Sequence, residues 1–466
     1  MKNLFCLVML GLLCTPSAAT EDSRPNIVFF LADDQRVDFL SVTGHPVVRT
    51  PAIDQLAQEG TLFRNMTVTT STCWVSRASI LTGMRHEGHQ YTYEERGTLE
   101  SGWAQLSFST RLRRAGYEFS YVGKNHIKYN QGDTEVMFDH YTPVFRNPYF
   151  KKQPDGTLKH TTDIIGDEAV AFLNQEHEKP FCLYLNFNAA HAEDNDKENH
   201  YPYPARFESL YKDSPMPLPK FQGEPYKKYH PEFLRDSMHG DRFLWRWDTP
   251  EKYQHNMRNY LRMISGIDSV VNRVRKELEA LDLDKNTIII YTADNGYYAA
   301  NRDFAGKWTH YEESLRVPLI IRDPRVAEQT ATNHAPVLNI DLPATILDMA
   351  GVDVPGYMSG KSLQTFLSKD SVKDWREDSL HSFKGFHATI PNWEGVRNKR
   401  YVYARYYDQS PPQEFLYDLE KDADQLNNLS LLPSHRKQLA ALRKRCDELK
   451  ADEFKRGQEA LLSLKQ

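Results

Sequence analysis

The feature that most constrains the fold is a series of short, continuously apolar runs that alternate with helical patterns of apolar residues. Five runs are typical of strands buried on both faces of a sheet: Asn26–Leu31, Phe119–Val122, Phe181–Phe187, Thr287–Tyr291 and Pro318–Ile321. The helical patterns between and after them are 52–59, 106–115, 166–176, 257–281 and 342–349. This alternation predicts an α/β fold with a large, mostly parallel mixed sheet sandwiched by helices.

A change of composition near Val372 indicates a second, smaller unit. Segments 395–407 and 414–417 predict a small antiparallel sheet, and a charged helix from about Ser434 to Leu464 closes the chain. The stretch 193–249, rich in Pro, Tyr, His and Arg, predicts a long surface excursion that shapes a ligand pocket. We therefore predict a signal peptide over 1–19, a catalytic α/β domain over 20–371 and a C-terminal α+β subdomain over 372–466.

The amino terminus has the pattern of an export signal. Lys2 supplies a positive start, Leu4–Leu13 an apolar stretch, and Ser17-Ala18-Ala19 small residues before a cleavage site near Ala19. The apolar stretch is too short to span a bilayer, and no later segment is long and apolar enough. We expect a periplasmic or secreted protein without a transmembrane anchor. A net charge of -5 argues against nucleic acid as a partner.

Polar side chains follow four of the five predicted strands, at the points where those strands end. Asp33-Asp34 follow the first strand, Lys124 and His126 the second, His191 the third and Asp294-Asn295 the fourth. In open α/β sheets, ligands bind beyond the carboxyl ends of the strands. The sequence therefore predicts one site at this edge of the sheet, built from groups that titrate or bind metals.

Three cysteines lie beyond the predicted signal, an odd number for an oxidising compartment. A leftover cysteine there indicates pairing between chains, a reactive thiol or a modification. Cys182 lies in an apolar run and Cys446 in the charged C-terminal helix, whereas Cys73 begins a loop–helix segment that Gly83 ends. A helix N-terminus favours an anion, and Arg77 lies one turn below on the same face. The spacing alone leaves open a small core cysteine beside a surface arginine.

These residues resemble the signature of the type I sulfatases, members of the alkaline phosphatase superfamily whose cysteine is oxidised to formylglycine after translation. The signature residues are Cys73, Ser76, Arg77 and Leu81-Thr82-Gly83. Further segments resemble the family's other motifs in the same order: Ala32-Asp33-Asp34, Gly123-Lys124-Asn125-His126, His191, Thr292-Ala293-Asp294-Asn295-Gly296, Gly306-Lys307, 311–318, and 416–419 with 427–429. The resemblance covers nearly the whole chain beyond the signal.

The resemblance implies calcium-dependent hydrolysis of sulfate esters. Its implied metal ligands are Asp33, Asp34, Asp294, Asn295 and the modified Cys73, an oxygen set that suits Ca²⁺ better than Mg²⁺. A hydroxyl of the hydrated formylglycine attacks sulfur, while Lys124, Lys307 and Arg77 stabilise the negative charge of the transition state. His191, with Lys307 nearby, protonates the departing alcohol, and His126 takes the proton whose loss expels sulfate. A maturation enzyme that generates formylglycine is an implied partner.

One position departs from the family pattern, and two alternatives to a sulfatase stay open. The residue two after the cysteine is usually Pro or Ala in this family, and here it is Val75. An unmodified protein would bind sulfated glycans without cleaving them. A phosphate- or phosphonate-ester hydrolase of the same superfamily is the other alternative.

The expected substrate is a sulfated carbohydrate. Export suits such a substrate, as does the aromatic and basic stretch Trp245-Arg246-Trp247, because sugar rings stack on aromatic side chains while arginines hold sulfates or carboxylates. Stacking of Trp247 on a sugar is one interpretation of this stretch, and the alternative is that its aromatic side chains anchor the excursion.

Overall fold

The computed structural model describes residues 24–92, 97–385 and 389–465, so the predicted signal peptide lies outside the described residues. Its first ten strands are β1 Asn26–Ala32, β2 Thr61–Thr67, β3 Glu118–Gly123, β4 His140–Pro143, β5 Phe150–Lys152, β6 Leu158–His160, β7 Phe181–Asn186, β8 Thr287–Ala293, β9 Leu319–Arg322 and β10 Thr332–Leu338. Four more follow: β11 Asp378–Phe383, β12 Trp393–Asn398, β13 Tyr401–Tyr406 and β14 Gln413–Asp418.

The first seven helices are α1 Pro51–Glu59, α2 Cys73–Thr82, α3 His86–His89, α4 Ser101–Leu106, α5 Phe108–Arg114, α6 Asp133–Met137 and α7 Thr161–Leu173. The remaining ones are α8 Glu224–Lys227, α9 Glu232–Arg235, α10 Met238–Arg246, α11 Pro250–Ala280, α12 Glu312–Leu315, α13 Asp341–Met349 and α14 Arg436–Ser463. In the part of the chain that the structure describes, no helix combines the length and apolar character needed to cross a membrane.

The large sheet has eight strands in the order β10-β2-β9-β8-β1-β7-β3-β4. Strand β9 runs antiparallel to both of its neighbours, and the other neighbouring pairs are parallel. Its central strands β1, β7 and β8 are buried along their whole length, because every second residue faces a layer of helices on one side or the other. The predicted mostly parallel mixed sheet is confirmed.

A four-stranded antiparallel sheet, β11-β12-β13-β14, forms a second layer near the C-terminus. Each of its strands contributes one residue to a separate apolar cluster with α14, and the members are Leu380, Val396, Tyr403, Leu416, Leu439, Leu442 and Cys446. The predicted antiparallel sheet and closing helix are therefore confirmed. The division of the chain into 20–371 and 372–466 stays a prediction.

Helix α14 also packs on α3, the short helix that follows the Cys73 helix. The two backbones cross at Gly88 and Gly457, where a Cβ added to Gly457 would lie 2.1 Å from the Gly88 carbonyl oxygen. One turn away, the buried carboxylate of Glu453 accepts hydrogen bonds from the Arg85 backbone N–H (2.9 Å) and from its guanidinium (3.1 Å). The end of the chain thus supports the segment that begins at Cys73.

Candidate active site

Two neighbouring parallel strands deliver the four acidic and amide groups predicted to bind a metal. Strands β1 and β8 are in register through Ala32 and Ala293, so the residues that follow them emerge side by side. The Asp294 N–H donates to the Ala32 carbonyl at 3.1 Å, and the Asn295 side-chain amide donates to Asp34 Oδ1 at 2.7 Å. All four side chains are buried.

Helix α2 places Cys73 at its first position, beside this group. Gly83 adopts a left-handed conformation and donates its N–H to the Ser79 carbonyl, as predicted for a C-cap. One ligand atom from each of Cys73, Asp33 and Asp294 lies within 4.8 Å of the other two. The cysteine therefore shares a cluster with two carboxylates contributed by different strands.

The buried oxygens of this cluster fit a hard cation. Asp33 Oδ1 and Asn295 Oδ1 are both buried and have no hydrogen-bond partner. A buried polar atom without a partner is costly, and a bound cation would supply one to both oxygens. The Asp and Asn donors are oxygens, which Ca²⁺ or Mg²⁺ prefers, and Cys73 in its unmodified form adds a sulfur beside them.

Three cations surround the carboxylates. The ammonium groups of Lys124 and Lys307 contact Asp33 and Asp34, respectively. Arg77 donates from Nε to Asp294 Oδ2 at 2.8 Å and from Nη1 to the side-chain oxygen of Asn186, also at 2.8 Å. The remaining nitrogen of Arg77, Nη2, is buried without a partner. An incoming anion would therefore meet positive charge on several sides.

Burial alone would raise the pKa of Asp33, but Lys124, Lys307 and Arg77 outweigh it and hold that pKa below its usual value. Burial, with the charge of Asp33 beside it, raises the pKa of Asp294. Burial also raises the pKa of the Cys73 thiol. An unmodified thiol in this position stays protonated at neutral pH and is a weak nucleophile.

Strand β3 ends in a close turn that carries Lys124 and His126 to the same edge. A Cβ on Gly123 (φ +110°) would lie 2.0 Å from the Asn186 carbonyl oxygen, so only glycine allows this approach. His126 Nδ1 then lies 3.2 Å from Cys73 Sγ, and Trp74 packs edge-on against the imidazole. Burial, and after it the charge of Lys124, lowers the pKa of His126, so the imidazole is neutral at pH 7.

His191 closes the site from the chain that leaves β7. Its Nε2 lies 3.7 Å from Asp34 Oδ2, and its Nδ1 contacts the guanidinium of Arg146. Burial, and after it the charge of Arg146, lowers the pKa of His191 well below its usual value. This imidazole too is neutral at pH 7.

The structure brings all the predicted site residues together: Asp33, Asp34, Cys73, Arg77, Lys124, His126, His191, Asp294, Asn295 and Lys307. Sequence reasoning missed Asn186 and Arg146. Asn186 is the last residue of β7, so the rule that located the other groups also applies to it. Arg146 follows the short edge strand β4, for which the sequence has no long apolar run.

For Trp247 the structure supports the anchoring alternative over stacking on a sugar. Its side chain is 1% exposed and packs on Tyr201, with ring centroids 5.3 Å apart, so it anchors the excursion to the core. Trp245 is 43% exposed and carries the ammonium of Lys197 over its ring at 4.3 Å.

Most of the chain is similar in sequence to known sulfatases. Residues 25–352 match the family model described as Sulfatase, and residues 301–452 match the one described as N-sulphoglucosamine sulphohydrolase, C-terminal. An N-acetylglucosamine-6-O-sulfatase of Bacteroides thetaiotaomicron is 28% identical, over 89% of this chain and 84% of that protein. The N-acetylglucosamine-6-sulfatase of Homo sapiens is 27% identical, over 82% of this chain and 71% of that protein.

Solved structures share the fold. One protein, in complex with its substrate D-glucosamine-2-N,6-O-disulfate, superposes with a TM-score of 0.79 at 24% identity, over 93% of this chain and 98% of that chain. The phosphonate monoester hydrolase of Agrobacterium radiobacter superposes with a TM-score of 0.77 at 21% identity, over 92% and 96%. At these identities the superpositions establish the fold. Conclusions about the chemistry rest on the family match and on the site itself.

Proposed function

The chain belongs to the sulfatase family of the alkaline phosphatase superfamily and is an enzyme that hydrolyses sulfate esters, and we propose that its nucleophile is formylglycine made from Cys73 beside a bound calcium ion. The observation that carries this proposal is the buried cluster of Cys73, Asp33 and Asp294, one ligand atom from each lying within 4.8 Å of the others. The raised pKa of the Cys73 thiol supports it, because an unmodified cysteine here would attack poorly.

In this proposal Asp33, Asp34, Asp294 and Asn295, with residue 73, hold the calcium ion. A hydrated formylglycine at residue 73 would supply a nucleophilic oxygen, and a bound calcium ion would supply positive charge that favours deprotonation of that oxygen. The two buried oxygens without partners, Asp33 Oδ1 and Asn295 Oδ1, support occupancy by a cation.

The chain's own cations bind the sulfuryl group. Lys124, Lys307 and Arg77 are fixed by buried carboxylates, so they need little reorganisation when charge develops on the sulfuryl oxygens. The unpartnered Nη2 of Arg77 is a donor that a sulfuryl oxygen can accept from.

The two histidines divide the proton transfers. His126, neutral and 3.2 Å from Sγ of residue 73, accepts the proton released there when sulfate leaves. His191, on the Lys307 side of the site, donates a proton to the leaving alcohol oxygen. An arriving sulfate ester adds negative charge beside both imidazoles and raises their pKa towards the working range.

The substrate class we propose is a sulfated carbohydrate, and we propose that the enzyme acts outside the cytoplasm after export. The family match and the named relatives that act on N-acetylglucosamine 6-sulfates support a sugar substrate. N-acetylglucosamine 6-sulfate and glucosamine-2-N,6-O-disulfate are therefore the first compounds to assay.

The first test is the mass of the peptide that contains residue 73, from protein made in a host with a formylglycine-generating enzyme. We expect formylglycine or its hydrate there and an unmodified thiol in the peptide that contains Cys182, which lies at the centre of the sheet. Sulfate release should be abolished by Cys73→Ser. A thiol at residue 73 in protein that still releases sulfate would overturn the proposed nucleophile.

A further inference from the structure

Three arginines converge on a single carboxylate beside His191. Arg146 Nη2 lies 3.4 Å from Asp194 Oδ2, Arg242 Nη1 lies 3.7 Å from Asp194 Oδ1, and Arg246 contacts the same Oδ1. Burial would raise the pKa of Asp194, but the three guanidinium groups outweigh it and hold that pKa well below its usual value. The carboxylate is therefore charged at neutral pH and neutralises one arginine of the three.

The three arginines are not equivalent. Arg246 is 1% exposed and its backbone carbonyl accepts from Asn256, so it is part of the structural base of the excursion. Arg146 and Arg242 keep 17% and 16% of their side chains exposed. The carboxylates of Asp33 and Glu193 also act on Arg146. Asp33 is paired with Lys124, so Asp194 and Glu193 together leave the three arginines one positive charge in excess.

Arg146 and Arg242, the two partly exposed arginines, border the side of the site at which the alcohol departs. Arg146 contacts His191, the proposed proton donor. The guanidinium carbon of Arg242 lies 5.0 Å from the ring centroid of Trp308, which directly follows Lys307 and donates its N–H to the Ser71 carbonyl at 3.2 Å. A sugar whose sulfate occupies the cluster at Cys73 would extend towards these two arginines.

The hydrogen-bonding capacity of the group is not used up within the protein. Arg242 Nε is buried and has no partner, and Arg246 Nε is in the same state. Leaving charged donors unpaired in a partly buried position is costly unless an anion arrives to accept from them. Guanidinium groups suit sulfate and carboxylate because they present two parallel N–H donors.

We propose that Arg146 and Arg242 bind a second anionic group, a sulfate or a carboxylate, on the sugar that carries the scissile sulfate. The substrate is then a sugar with two negative groups, and Arg242 distinguishes it from a singly sulfated one. This inference rests on the proposed function for the direction in which the sugar extends. Its binding test does not require turnover.

The test compares pairs of sugars that differ by one negative group, with binding measured by calorimetry on the Cys73→Ser variant. The sulfate arm pairs N-acetylglucosamine 6-sulfate with glucosamine-2-N,6-O-disulfate, and the carboxylate arm pairs glucose 2-sulfate with glucuronate 2-sulfate. We expect the doubly charged member of at least one pair to bind more tightly. Adding Arg242→Gln should reduce that preference roughly 10–100-fold, as expected for hydrogen bonds to a charged group.

The matched control is Arg273→Gln, which removes an arginine paired with Asp167 on the exposed face of α11 and should leave the preference intact. No preference in either pair, or a preference that survives Arg242→Gln, overturns the inference. A preference that Arg242→Gln removes, in a protein that releases no sulfate after maturation, supports the anion site and overturns the proposed function instead.

Discussion

Replacing a glycine with alanine at the crossing of α3 and α14 is a sharp test. Helix propensity and packing between the helices should change the free energy of unfolding in opposite directions there. Alanine normally stabilises a helix by about 1 kcal/mol relative to glycine. At Gly457 the new Cβ would lie 2.1 Å from the Gly88 carbonyl oxygen and 2.6 Å from its carbon. Restoring ordinary contact requires the backbones to separate by about 1 Å, and overpacking of this kind costs about 1–3 kcal/mol. The clashing atoms of Gly88 are all backbone and cannot rotate aside, so the cost lies at the upper end of that range. After the helix gain is subtracted, we expect Gly457→Ala to lower the free energy of unfolding by roughly 2 kcal/mol.

Urea denaturation followed by tryptophan fluorescence measures this difference. The matched control is Gly266→Ala in α11, where the added Cβ meets only side chains, the nearest being Pro204 Cγ at 3.3 Å. That variant should stay within about 1 kcal/mol of the wild type. Separation of the helices also draws Glu453 away from Arg85, so kcat for sulfate release should fall in Gly457→Ala. A Gly457→Ala protein as stable as the wild type would refute the reasoning.

Three further perturbations test the site and the core. Arg77→Met leaves Asp294 buried without its partner and should lower the free energy of unfolding by about 3–5 kcal/mol. It should also lower kcat at least about 100-fold, and Arg77→Lys should restore part of both losses. An Arg77→Met variant as stable as the wild type would contradict the buried ion pair. Calcium should raise the melting temperature of the wild type and EDTA should reverse the rise, whereas Asp294→Asn should show a much smaller response; equal responses would argue against the proposed ligands. Burial raises the pKa of Asp268 to about 7, so the folded state keeps a proton that the unfolded state releases, and stability is lost as the pH rises from about 4 to 7. Asp268→Asn, which retains the acceptor for the Ile53 N–H, should therefore gain up to a few kcal/mol over the wild type at pH 8 and little at pH 4, as measured by denaturation at both values.

The elements that the sequence predicted well are those whose environment is uniform along their length. Strands β1, β3, β7 and β8 lie between two helical layers, so each appears as an unbroken apolar run. Strand β4 lies at the edge of the sheet, and partial exposure removes that signal. Where the runs were visible, the groups just beyond them were found as well.

Helix boundaries were predicted less accurately for local reasons. The helix predicted over 106–115 begins at Phe108 instead, because Ser107 caps it with its side chain, and Leu106 is the last residue of α4. Helix α11 begins seven residues before the predicted start, since its first turn is polar and Thr249 caps it.

Contacts between distant parts of the chain were beyond sequence reasoning. Arg146 and His191 meet across 45 residues, and no periodicity or motif relates them. The burial of Trp247 is a similar case, because an aromatic residue in a predicted surface excursion has the same sequence signal whether it faces a ligand or the core.

The support of the Cys73 segment by α14 also has a consequence for biosynthesis. Arg85 and Glu453 are 368 residues apart in sequence. At ribosomal rates of about 5–20 residues per second, Glu453 is added roughly 20–70 seconds after Arg85, and their hydrogen bond cannot form earlier. During that interval the nascent segment lacks its final packing. In the folded protein residue 73 is 4% exposed. If Cys73 is converted to formylglycine as proposed, the pace of translation would limit how long a maturation enzyme can reach it before α14 is added.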